Sequence, residues 1–464
     1  MAIEFAHSPL LTFVLALLAV ILLLVRWDLP AFVGLIIAAF FVGVINVVFV
    51  PEFTPTKAAD AVATAFGNGM AGIGIPILMA AVIGKSMLES GAAQRIVRGF
   101  QSLLGRENAD YALWGSSSIL AIPVFFDSVF YLLAPLARSM RARVGRDYTL
   151  FIVVVGAGAA TAHVFVPPTP GPLAVADEIG VNLGMTMLIG VTVALPAALV
   201  GGIGYGRWIN RRLDIPLRDA MATSTDELHE LAERDTSELP GMVASLSPIL
   251  VAVGLIGALT AIKAFDEAYP ALETLRPYAA FLGDKNVALT IAALAAAWVF
   301  YRYSDLSRSA WGDELTEALK SGGNIAAITA AGGAFGALLA ASGVGDYITG
   351  ALSGVGIPLI VSAWLIAAIV RIAQGSATAA MLTTAGIMAP QVSQLAVHPA
   401  FLVMAIGAGG NICSWYNDSG FWLVKEIGGL TQVETLKTWT VLTTVISVTG
   451  LVTTLAISTV FPLA

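Results

Sequence analysis

The sequence predicts an all-α polytopic membrane protein built from two inverted-topology repeats, and three observations carry that expectation. Of the 464 residues, 57% are apolar and 12% charged, against roughly 25% charged in a soluble domain. Apolar runs of membrane-spanning length fill nearly the whole chain. The two halves also share a series of short strings at a nearly constant spacing, and the basic residues fall in blocks that orient those halves oppositely.

Composition excludes several classes. One cysteine, Cys413, allows no internal disulfide framework and no multi-cysteine metal site, and four histidines leave little room for a metal enzyme, so no cofactor is expected. A net charge of −7 without a basic stripe argues against nucleic acid as a partner. Met1 to Ser8 hold Glu4 and no Lys or Arg, unlike the positive start of a secretory signal. The first positive charge, Arg26, follows the first apolar run, so the helix Pro9 to Val25 is expected to start outside.

Taken in order, the runs free of acids, Lys and Arg are 9–25, 29–51, 61–84, 111–126, 148–176 and 179–206. A charged stretch, Arg207 to Leu239, mixes five basic with eight acidic residues and is expected to be a solvated cytoplasmic connector. Beyond it come 239–262, 286–301, 321–345, 347–397 interrupted by Arg371, 399–417 and 438–464. The implied division is a first transmembrane repeat over 1–206, a linker over 207–240 and a second repeat over 241–464.

Gly84, Gly91 and Ile96 pair with Gly336, Gly343 and Ile348 at a spacing of 252 residues. Pro135 pairs with Pro390 at 255, Gly156-Ala157-Gly158 with Gly407-Ala408-Gly409 at 251, and Glu178-Ile179-Gly180 with Glu426-Ile427-Gly428 at 248. Their fixed order over about 100 residues indicates duplication.

Charge then sets orientation. The loops 85–110 and 138–147 hold four basic residues each, which places both in the cytoplasm. The region between them, about 111–137, must leave and return on one side as a re-entrant hairpin turning near Pro123, where proline interrupts a helix. Its counterpart, about 357–390, is flanked by loops without Lys or Arg and reads as external. Each half then has about five crossings plus one hairpin, and an odd number of crossings inverts the second copy. Segments assigned inside carry 19 of the 24 basic residues, those outside carry four, and Arg371 lies in the second hairpin. Both chain termini are expected to be external. Such an inverted pair with opposed hairpins is a transporter architecture with its site near the midplane.

Charges kept within the membrane are functional candidates. Asp127 follows the Pro123 break, and Arg371 precedes the Gly375-Ser376 break, where its guanidinium suits a bidentate grip on a carboxylate. His163 lies in AGAATAHVFVPPTPGPL, where the glycines and then Pro167, Pro168, Pro170 and Pro172 should unwind a broken helix over about 148–172. The counterpart broken helix, about 398–420, holds the densest polar cluster of any apolar region: Asn411, Ser414, Asn417, Asp418 and Ser419. Gly67-Asn68-Gly69 and Asn324 are weaker candidates, since such glycine-flanked amides are often turns or caps.

The strings IPVFFDSVFYLLAPLA, AHVFVPPTPGPL, RIAQGSATAAMLTTAG and NDSGFWLVKE resemble signature segments of the gluconate permease family, the gluconate:proton symporters of the ion transporter superfamily. The resemblance covers essentially the whole chain. It implies an inner-membrane symporter that imports gluconate or another small hydroxylated carboxylate with protons, and an elevator-type homodimer in the lipid bilayer. By motif it implies a site of Asp127, His163, Thr169, Arg371, Ser376, Thr378, Asn417 and Asp418, to which the same strings add Ser128 and Gln374. Thr169 stands where members often carry histidine, which leaves the substrate subclass open. In the implied mechanism Arg371 or half-helix N-termini hold the carboxylate, Ser376, Thr378, Asn411 and Asn417 bind hydroxyls, and Asp127, His163 or Asp418 takes the proton.

D-serine or another sugar acid as substrate, and sodium in place of protons, remain open alternatives. An intramembrane aspartyl protease is weighed on Gly343-Val344-Gly345-Asp346, but Asp346 falls in an expected external loop and aligns with Gln94, so the second aspartate is missing. A channel gains little from paired hairpins.

Overall fold

Two helices are far longer than a bilayer is thick. In the computed structural model, which describes residues 9–27, 29–51, 53–218, 238–265, 270–354, 356–415 and 418–463, α3 (Pro55–Glu89) and α13 (Arg308–Ala341) have 35 and 34 residues. At ~1.5 Å per residue each is about 50 Å long against a hydrocarbon core of ~30 Å. The pair lies side by side because small residues face each other: a Cβ on Gly322 would come within 2.7 Å of Ala81 Cβ, and one on Gly69 within 3.1 Å of Ala330. Lys85 of α3 bridges Glu89 and, at 2.7 Å, Glu314 of α13, marking a polar end of the bundle.

The described residues are mainly helical, with no strand among them. Before α3 come α1 (Pro9–Val20), which widens into a π-helical turn (Ile21–Arg26), and α2 (Ala31–Phe49), tied to α13 by a bond from Asn46 Nδ2 to Leu338 O. After it come α4 (Ala92–Leu104), α5 (Ala109–Leu120), α6 (Phe126–Val144), α7 (Tyr148–Phe165), α8 (Pro170–Ile179) and α9 (Leu183–Ala198), which continues helically to Asn210. The second half begins with α10 (Met242–Phe265), α11 (Arg276–Leu282) and α12 (Lys285–Tyr303). Then α13 leads to α14 (Val344–Gly354), α15 (Leu359–Gln374), α16 (Ala377–Met388), α17 (Ala400–Asn411), α18 (Ser419–Gly428) and α19 (Val441–Val460), the last preceded by helical turns from Gln432. Eight of these stretches are long and apolar enough to cross a membrane.

The same series occurs in each half. α3 and α13 end 252 residues apart, and α4 and α14, then α7 and α17, begin at that same spacing. Gly91 and Gly343 both take φ 77°, a left-handed turn that favours glycine and lets the chain restart as a helix one residue on. Asp346 therefore lies in the first turn of α14 and accepts a 2.5 Å bond from Gln391 Nε2. The loop expected there is a helix because Gly343 ends one helix and Val344 opens the next.

Helices α2, α3, α10, α12 and α13 pack as one group. The rest gather around α7 and α17, buried along nearly their full length. Their glycines permit this: a Cβ on Gly158 would strike the Trp114 carbonyl at 2.7 Å, one on Gly409 the Trp364 carbonyl at 2.4 Å, and one on Gly407 the Val164 carbonyl at 2.2 Å.

Four breaks interrupt the helices of this second group. α5 and α6 join through Ala121 to Phe125, and α15 and α16 through Gly375 and Ser376. α7 breaks from α8 at Val166 to Thr169, and α17 stops at Asn411 before α18 starts at Ser419. The unwinding expected from four prolines is narrower, because Pro170 and Pro172 sit in the first turn of α8, where no helical N–H is required. Gly156 and Gly158 stay helical within α7.

The described start of the linker is tethered to the helices, with Arg211, Arg212, Asp214, Pro216 and Leu217 exposed. Arg207 to Asn210 extend the α9 helix, and Thr149 Oγ1 donates to Leu213 O at 2.7 Å while accepting from Ile215 N. Arg138 Nη2 donates to Arg218 O, and Arg218 grips Glu434 through two bonds of 2.6 and 2.9 Å. Positions 219–237 lie outside the described residues.

Candidate functional site

All four interruptions open on one cavity of about 470 Å³. Four helices begin at it: Phe126 and Asp127 of α6, Pro170 of α8, Ala377 and Thr378 of α16, and Ser419 and Gly420 of α18 all line its wall. A helix N-terminus carries about half a positive charge and unpaired N–H groups, so four together make an anion-attracting centre. Two are capped, by Ser376 Oγ accepting from Ala379 N at 3.3 Å and by Asp418 Oδ1 accepting from Gly420 N at 3.0 Å. The N-termini of α6 and α8 carry no side-chain cap.

Arg371, in the last turn of α15, is 3% exposed and reaches the cavity wall. Its Nη2 donates to Asp418 Oδ2 at 2.5 Å, while Nε and Nη1 are buried without a partner among the described residues. Buried guanidinium nitrogens seldom stay unpaired, since each costs about 1–3 kcal/mol or more. Asp418 is held in turn by Ser414 Oγ, which accepts from Trp439 Nε1 at 2.6 Å. Ser414 N donates to Thr443 Oγ1, and Thr440 Oγ1 donates to Ser414 O, so the polar turn after α17 is anchored to the helix that leads into α19.

His163, on α7, lines the cavity with its Nδ1 buried and unpartnered among the described residues. Asp127 lines it from the first turn of α6, exposed to the cavity and with no ion pair among the described residues. Asn411 closes the floor and donates weakly to Thr443 O. The cavity thus gathers Asp127, His163, Arg371, Ser376, Thr378, Asn411 and Asp418.

The remaining candidates fall elsewhere. Thr169 is buried and donates to Val166 O at 2.7 Å, holding the α7–α8 break rather than facing the cavity. Ser128 is half-buried on α6 outside the lining, and Ser414 acts one layer behind Asp418. Gln374 ends α15, but its side chain, like the whole of Asn417, lies outside the described residues. Asn324 is exposed on α13, away from the cavity.

Several lining residues carry no signal as candidates in the sequence. Leu24, Leu29, Phe125, Ile325, Ile328 and Trp439 add apolar surface to the cavity wall, and Thr329 adds a hydroxyl from α13. Only Thr329 offers a cue, as a lone hydroxyl before the small-residue run AAGGA.

Residues 8–460 match the GntP family permease family. The chain belongs to that family. Among the relatives of this GntP family permease, a gluconate permease of Pseudomonas aeruginosa is 34% identical over 97% of this chain and 98% of its own length. The Gnt-II system L-idonate transporter of Escherichia coli is 32% identical over 97% and 99%, and the high-affinity gluconate transporter of that organism 31% identical over 96% and 98%. In fold, the permease is similar to the YdaH transporter of Alcanivorax borkumensis, with a TM-score of 0.61 at 15% identity, covering 94% of this chain and 99% of that one. Neisseria gonorrhoeae MtrF gives a TM-score of 0.60 at 14% identity, over 94% and 95%. The permease is a multi-pass membrane transporter, not an enzyme.

Proposed function

We propose that this permease imports gluconate or a related sugar acid across the cytoplasmic membrane by symport with protons. The observation that carries the proposal is the convergence of four helix N-termini on a cavity where Arg371 keeps two buried guanidinium nitrogens unpaired among the described residues. A carboxylate fits that arrangement through charge-assisted bonds. Ser376, Thr378 and Asn411 then bind the hydroxyls, joined by Asn417. The names borne by the relatives, gluconate permease and L-idonate transporter, support a sugar acid as the solute.

Proton coupling is argued from the charge balance. Asp127 and Asp418 face a single arginine, so an incoming anion would raise the net negative charge of a low-dielectric cavity unless a proton accompanies it. Asp127, without an ion pair, is the first choice for that proton, with His163 the second.

The matching series of elements supports a duplication, and the blocks of basic residues support its inversion, with about five crossings and a hairpin in each repeat and both termini external. The packing into two groups fits an elevator, in which the unit around α7 and α17 moves against the α3–α13 pair, and the homodimer is proposed from the family resemblance alone.

A second substrate is favoured by one feature. The unpaired Asp127 carboxylate would meet the ammonium of an amino acid such as D-serine while Arg371 held its carboxylate. Uptake of labelled gluconate into proteoliposomes under an inward proton gradient, with D-serine as competitor and a sodium gradient as control, tests both. Proton-driven uptake blocked by unlabelled gluconate alone is expected. Counterflow only with D-serine would move the substrate, and uptake driven only by sodium would remove the proton.

A further inference from the structure

A second cavity, of about 300 Å³, lies between α3 and α13 on one side and α8 and α16 on the other. It meets the central cavity at Thr329, which lines both. Two helices run from one cavity into the other. On α8, Pro170 faces the centre, while Ala174, Asp177 and Glu178 face the second cavity. On α13, Ile325 and Thr329 face the centre, and Thr329, Gly333 and Ala337 continue at four-residue spacing into the second. Residues three or four apart share a helix face, so each helix lines the passage with one continuous stripe.

The gap is held open where the helices part. A Cβ on Gly69 would come within 3.1 Å of Ala330, a tight crossing, whereas a Cβ on Gly333 would meet nothing within 4 Å. Asn68, roughly 20 Å along α3 at ~1.5 Å per residue, lines the same cavity, with an exposed side chain that makes no hydrogen bond among the described residues. An amide at that depth of a spanning helix is expected only beside a polar cavity. At the far end Asp177 pairs with Lys285, which the distribution of basic residues assigns to the outside, and Glu178 stands beside them.

We infer that this second cavity is the aqueous route by which solute reaches the central site from outside, and that Thr329 is the constriction it passes. The inference rests on the proposed transport function but not on the identity of the solute. Gly333 supplies the test, because a side chain added there starts in open space within the passage. Gly312, on the same helix and also without neighbours within 4 Å, is the control away from both cavities. Gly333→Leu should lower initial uptake at least tenfold with unchanged thermal stability in detergent, and Gly312→Leu should leave uptake unchanged. Wild-type uptake by Gly333→Leu would overturn the route.

A second measurement needs no substrate. Asn68→Cys and Ala337→Cys are treated in intact cells with a membrane-impermeant, charged methanethiosulfonate reagent, and the label is located by peptide mass, so Cys413 need not be replaced. Both positions should be labelled from outside. Failure of both, or labelling only in inverted vesicles, would overturn the inference. An error confined to the substrate would show as a protein that labels as stated yet takes up no gluconate.

Discussion

Replacing Arg371 by lysine tests the site at its most specific point. Arginine holds Asp418 through Nη2 at 2.5 Å and leaves Nε and Nη1 without a partner among the described residues. A lysine keeps the charge but is a single point donor without the planar fork. If its ammonium stays with Asp418, the substrate loses at least one charge-assisted bond, and one such bond is about 1.5–3 kcal/mol. At about 1.4 kcal/mol per factor of ten, KM should rise roughly 10- to 100-fold. Proteoliposome uptake measures KM, and thermal unfolding in detergent separates binding from folding. Arg371→Gln leaves Asp418 as an uncompensated buried charge and should destabilise by about 3–5 kcal/mol, whereas Arg371→Gln with Asp418→Asn should restore stability without restoring transport. A KM within twofold of wild type for Arg371→Lys, with stability intact, would refute a role for the guanidinium in binding.

Asp127→Asn should abolish uphill accumulation under a proton gradient while substrate counterflow survives, and proton-coupled accumulation at the wild-type level would remove Asp127 from coupling. Glu178→Gln removes a negative charge from the mouth of the second cavity and should lower KM for an anionic solute at low salt, an effect that fades toward ~0.15 M, where the Debye length is about 8 Å; kinetics at two ionic strengths read this directly. His398, in the connection before α17, accepts from Ala400 N at 3.2 Å, and burial holds its pKa below the usual histidine value. The folded state then binds fewer protons than the unfolded state as pH falls through about 6.5, so stability should drop there and continue to fall until the lowered pKa is passed; His398→Asn should flatten that part of a melting-temperature profile between pH 5 and 8.

How much of the site is legible in the sequence depends on the kind of residue. Asp127, His163, Arg371 and Asp418 are visible because a charged or titratable group inside an apolar run is costly and needs a reason. Thr169 looks equivalent to them within its proline-rich string, yet its hydroxyl is used on the carbonyl of Val166, a local bond at a helix break. Trp439, Leu24 and Ile328 carry no such cue, because an apolar residue in an apolar run reads the same whether it faces lipid, core or cavity. The docked start of the linker is hidden for a related reason. Arg218 and Glu434 are 216 positions apart, and nothing local links them.

The sequence by itself determined the membrane-spanning class, the recurring series of short strings and the few charges that had to matter. These follow from composition, period and the cost of burying charge, which are local or additive along the chain. Only the tertiary structure decided that four helix starts from both halves meet at one cavity, that Arg371 spends one nitrogen on Asp418 and keeps two, and that Gly333 faces open space while Gly69 faces a helix. Those are distances between segments far apart in the chain, and they are set by which small residues allow two backbones to approach.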